Sequence, residues 1–143
     1  MSRPSPAQVD QATLADALES VLAHLRALTK KQTPPAAFDA PPQTTWGRIL
    51  DGFGLSPFEA RLLLVLVGIE LEREVSTLCA ELESSFKRPT FGWALRCFSD
   101  AHWDAFSPEA PLRKYGLVQL EEGPILLDRP LCVHERVLHA LMG

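Results

Sequence analysis

Asparagine is absent from the 143 residues, so the chain offers no N-glycosylation acceptor. Cysteine is scarce: Cys79, Cys97 and Cys132 are an odd number, show no Cys-x-x-Cys spacing and sit in apolar stretches. That usage gives no disulfide framework and reads as reduced, buried thiols of a cytosolic protein. Long apolar runs are also missing. The longest, residues 62–69, is far short of the roughly 20 residues that span a bilayer. The opening Met1-Ser2-Arg3-Pro4-Ser5-Pro6 lacks the apolar core of a secretory signal. The expectation is a cytoplasmic chain with no membrane partner.

What is present is a globular composition, 46% hydrophobic and 22% charged. This suits one compact domain and argues against disordered or fibrous classes. Arginine outnumbers lysine ten to four, a pointer to a GC-rich bacterial genome. The formal net charge of −4 is uneven: residues 1–43 carry four positive and four negative groups, 44–85 three and seven, and 86–143 seven and seven.

Four of the twelve prolines fall within residues 34–42, where missing donors and fixed φ angles exclude helix and central strand. Three units are therefore expected: an N-terminal amphipathic helix in 1–31, a Pro-rich linker in 32–45 and a body in 46–143. In the first, Leu14, Leu18, Val21, Leu25 and Leu28 recur at spacings of four and three and make a narrow apolar seam, which Leu22 widens. The seam has two readings, docking on its own domain or self-association into a homo-oligomer. Two heptads are few for a coiled coil, whereas a tethered apolar stripe must be covered by something.

The body opens with a short helix near Trp46 that glycines stop. A helix start follows in Ser56-Pro57-Phe58-Glu59, a capping box with proline at the first helical position. The helix from Pro57 is nearly all apolar from Leu62 to Ile69 and is expected to be the buried centre, with an amphipathic stretch carrying Val75, Leu78, Cys79 and Leu82 after it. Thr90 is read as the cap of another helix, after Pro89. Pro111 starts a further one that stops at Gly116. Leu117-Val118-Gln119-Leu120 and Ile125-Leu126-Leu127, joined through Glu121-Glu122-Gly123-Pro124, read as a hairpin, with Leu131-Cys132-Val133 as a third extended piece and a terminal helix after His134. The fold class expected is mainly α with a small β-hairpin wing, a winged-helix-like domain preceded by the N-terminal helix.

Motifs of catalysis fail on inspection. Gly47 and Gly52 have phosphate-loop spacing, but Phe53 and Gly54 stand where Lys and Ser/Thr are required. His134 and His139 are five apart, about 140° around a helix, and cannot share a metal as an i, i+4 pair does. His24 and His102 read as exposed or hydrogen-bonded histidines, Ser99 and Asp100 as helix caps, and Glu70, Glu72, Glu74, Glu81 and Glu83 as a solvated face. The aromatics Phe86, Phe91, Trp93, Phe98, Trp103 and Phe106 read as core rather than a stacking pocket. No catalytic, cofactor or metal site is expected.

Residues 46–142 resemble the winged-helix region at the N-terminus of a group of bacterial AAA+ ATPases, some encoded beside contractile injection systems. The resemblance rests on Leu55-Ser56-Pro57-Phe58-Glu59 with its leucine-rich helix, Arg88-Pro89-Thr90-Phe91-Gly92, Ser107-Pro108, Pro111-Leu112-Arg113, and Leu131 with Glu135-Arg136-Val137-Leu138. It implies a non-catalytic adaptor domain that positions a partner or substrate for a motor. No Walker motif occurs in these residues, so the chain is either an excised domain or a free-standing relative. A protein partner is then expected to meet the short helix and wing through Arg113, Lys114, Tyr115, Glu121 and Glu122. The alternative is a DNA reader using Arg113 and Lys114. The sequence pI of about 5.5 and the acidic hairpin turn make nucleic acid the less favoured partner.

Overall fold

The computed structural model describes residues 3–143; Met1 and Ser2, part of the expected 1–31 unit and of the segment read for a secretory signal, lie outside them. Helix α1 (Pro6–Thr29) starts at a capping box: the Ser5 hydroxyl accepts from the Gln8 N–H while the Gln8 side chain accepts from the Ser5 N–H. Proline at the first position costs nothing, because its missing donor would have no intrahelical acceptor. Helix α2 (Thr45–Phe53) is capped by Thr44 and ends at Gly54, whose φ of 65° is the left-handed conformation glycine tolerates best. The expected box of Ser56 and Glu59 opens α3 (Pro57–Leu71).

Helix α3 is the centre of the core, with Leu62 to Val67 all buried. The chain breaks at Glu72, in extended geometry, before α4 (Arg73–Leu82). At Gly68 an added Cβ would lie 2.8 Å from the Val75 side chain, so glycine permits the close approach of these two helices. Helix α5 (Phe91–Cys97) is capped by Thr90 through the Trp93 N–H, as expected. A 3₁₀ turn (Trp103–Phe106), α6 (Pro111–Lys114), strand β1 (Val118–Leu120), a second 3₁₀ turn (Leu126–Asp128), β2 (Leu131–Val133) and α7 (Glu135–Met142) complete the chain. The aromatics form core as expected. Phe91 stacks on Phe106 at 4.3 Å, and Phe58 meets Phe98 and Phe106 edge-on; Trp103 alone of the group stands out, 59% exposed.

The wing differs from its expected form in one strand. β1 pairs antiparallel with β2, Val118 opposite Val133 and Leu120 opposite Leu131, and residues 125–127 are not a strand. Pro124 has no N–H for a ladder. The segment after it turns through Leu126–Asp128 onto α5, where the Leu127 carbonyl oxygen would meet a Cβ on Gly92 at 2.9 Å. Residues 121–130 are thus one folded loop, closed by the Glu121 N–H donating to the Pro130 carbonyl.

Of the two readings of the N-terminal seam, docking on the chain's own helices is the one realised. Helix α1 packs on α3 and α4; Leu14, Val21, Leu22 and Leu25 are buried, and Leu18 and Leu28 are half-buried against the same core. The seam residues weighed for self-association are thus covered by the chain's own core. A fully buried leucine such as Leu25 contributes about 1.5–3 kcal/mol. The proline linker separates α1 from the body in sequence, yet Phe38 and Ala40 pack on the core. Across it the Asp10 carboxylate accepts from the Thr45 N–H at 2.9 Å and the Thr45 hydroxyl at 2.6 Å. Both bonds favour the charged carboxylate and lower its pKa. Arg26 adds an ion pair to Glu74 at 2.7 Å.

Candidate partner-binding surface

Three of the concavities among the described residues bear on partner binding. The first, about 230 Å³, lies under the proline linker: Phe38 covers one side and Val21, Trp46 and Leu64 supply apolar walls, with His24 and Arg61 as polar members. Burial, and then the neighbouring Arg61 charge, lowers the His24 pKa to about 4, with Asp100 opposing. Its ring packs on Phe98. Arg61 lies over Phe98 and bonds Asp100 at 2.7 Å. Asp100 is therefore an ion-pair partner of α3, in place of the expected helix cap. His102 reaches the Ser56 hydroxyl at 3.0 Å. This cluster ties α1, α3 and the segment after α5 together.

The second concavity, about 210 Å³, lies among Ile49, Phe53, Tyr115 and Val137, with Arg136 at its edge. Tyr115 is 46% exposed and leans on Phe53 at 4.9 Å. The third, about 400 Å³, is lined by residues of the 83–90 segment, α5 and the wing loop. Here Arg88 pairs with Glu121, and Arg96 pairs with Glu83 through two bonds of 2.8 and 2.7 Å. Each pairing favours the charged forms: Arg88 and Arg96 are raised and Glu83 is lowered, chiefly by these hydrogen bonds.

Of the five residues expected to meet a partner, Tyr115 lines the second concavity and Glu121 the third. Arg113 turns inward, donating to the Phe106 carbonyl at 3.0 Å. Lys114 lies 5.5 Å from the ring of Tyr115, which lines the second concavity. Glu121 leaves the expected turn tip for the Arg88 pair at the mouth of the third, while Glu122 stays exposed on the loop. Lys87, Arg88, Trp93 and Arg96 were not among the expected contacts. Arg88-Pro89-Thr90 marks a helix boundary and part of the family resemblance, and nothing local to it discloses a carboxylate 33 residues later.

Other polar groups have structural employment. The His134 side chain accepts from the Arg136 N–H and caps α7. Burial pushes Cys79 up to about 12 and Cys97 up to about 11, so both stay protonated thiols at neutral pH. Among the described residues no three His, Cys, Asp or Glu side chains converge as a metal set, and no helix is long and apolar enough to cross a membrane.

A family model described as "Winged helix domain, variant" matches residues 9–143. The chain belongs to this winged-helix family. The match includes most of α1, in keeping with its place in the core of the winged-helix domain. No curated protein and no solved structure matches the chain.

Proposed function

We propose that this winged-helix domain is a non-catalytic protein-interaction module that acts in the cytoplasm. Its resemblance to the N-terminal regions of bacterial AAA+ ATPases, including those encoded with contractile injection systems, supports a role as an adaptor that positions a partner or substrate for such a motor. The observation that carries the reading is how the arginines around the wing are used. Arg88 and Arg96 are paired with carboxylates, while Arg113 and Arg129 donate to backbone carbonyls of Phe106 and Glu121. A reader of duplex DNA needs such side chains turned to phosphate, because counterion release supplies most of its non-specific affinity.

The test is direct. Duplex DNA titrated into the full chain at low salt is expected to give no saturable binding in a fluorescence-anisotropy assay. A sub-micromolar complex, with Kd near or below about 1 μM, that weakens steeply with added salt would establish the DNA-binding alternative instead.

A further inference from the structure

Trp93 lines the cleft between residues 83–90 and the wing and is 1% exposed. Its indole N–H is buried and has no acceptor among the described residues. The charges around it are unequal in how firmly they are held. Glu83 is 24% exposed and fixed by both bonds from Arg96. Glu121 is 52% exposed and reaches Arg88 by one bond from the wing loop. Lys87 is exposed and has no ion-pair partner among the described residues. The lining therefore offers a lysine and an arginine whose only carboxylate can swing away. Arg96, with Glu83 and Asp128 about it, is already compensated.

We propose that this cleft binds a carboxylate side chain of an acidic peptide segment of a protein partner, and that Glu121 is the chain's own stand-in for it on Arg88. The proposal rests on the protein-interaction reading and names the chemistry of the partner. The incoming carboxylate replaces Glu121 on Arg88 and gains Lys87 as a second cation. It also lies against the wall that Trp93 lines. Charge-assisted bonds of this kind are the stronger sort, and a planar guanidinium suits a carboxylate.

The test is a titration of the isotopically labelled full chain with a hexaglutamate peptide, followed by the indole N–H resonances of its three tryptophans, assigned by through-space couplings. The Trp93 resonance is expected to shift saturably, while that of exposed Trp103 stays in place and hexalysine moves neither. Arg88→Gln is expected to weaken binding about tenfold. Glu121→Gln, which removes the competitor, is expected to tighten it about two- to fivefold, the worth of an exposed ion pair. These sites are on the surface, and the amide spectrum of each variant reports its folding. A stationary Trp93 resonance, a drift of the Lys87 and Arg88 amides without saturation, or weaker binding by Glu121→Gln would overturn the proposal. If duplex DNA stays inert in the same cell, such a failure leaves the protein-interaction reading standing; DNA that shifts Trp93 would end both.

Discussion

His24 shows how one residue can set a pH response for the whole domain. Its folded pKa of about 4 lies below the ordinary 6.5 because burial and Arg61 disfavour the imidazolium. Between those values the unfolded chain binds more protons than the folded one, so stability falls as pH drops from about 6.5 to about 4 and this contribution then levels off. Urea midpoints measured across that window are expected to decline for the wild type and to decline less for His24→Gln, which cannot titrate. An equal decline would place the sensitivity elsewhere. At this scale the sequence is legible where chemistry is local. Ser56 and Glu59, three positions apart, announce their capping box. Arg61 with Asp100, and Arg88 with Glu121, are joined only by the fold.

Helix α2 carries a matched pair of glycines that separates helix propensity from packing. A Cβ on Gly47 would sit 2.1 Å from the Pro41 carbonyl oxygen, whereas one on Gly52 would meet nothing within 4 Å. Gly47→Ala is expected to lower stability by about 1–3 kcal/mol, by forcing the linker away from the helix. Gly52→Ala is expected to raise it by about 0.5–1 kcal/mol, since alanine loses less backbone entropy in a helix. Thermal or urea unfolding of the two variants checks both signs. Elements with strong periodicity or caps, α1, α3 and α5, could be read in advance. The wing loop could not, because its path is set by contact with α5 and by the pairing of β1 with a strand eleven residues further on, rather than with the nearer apolar run at 125–127.

For the whole molecule, α1 is a structural wall that a linear reading divides from the body. Leu14, Val21 and Leu25 lie in the same cluster as Leu62, Val65 and Cys79. A chain beginning at Thr44 is therefore expected to lose cooperative unfolding and bind a hydrophobic dye, whereas the full chain does neither. A truncated chain that melts sharply would show the remaining helices to be self-sufficient. The proline segment suggested a boundary because its backbone is neither helix nor strand. It did not disclose that Asp10 and Thr45, 35 residues apart, fasten its two sides.

That arrangement bears on how the protein is made. Helix α1 leaves the ribosome before two of the helices it rests on, which end at Leu71 and Leu82. At about 5–20 residues per second, the stretch from Thr29 to Leu82 takes roughly 3–10 s to translate. Throughout that interval the leucines of α1 lack the neighbours that cover them in the folded chain, and they stay an open apolar stripe until the fourth helix emerges.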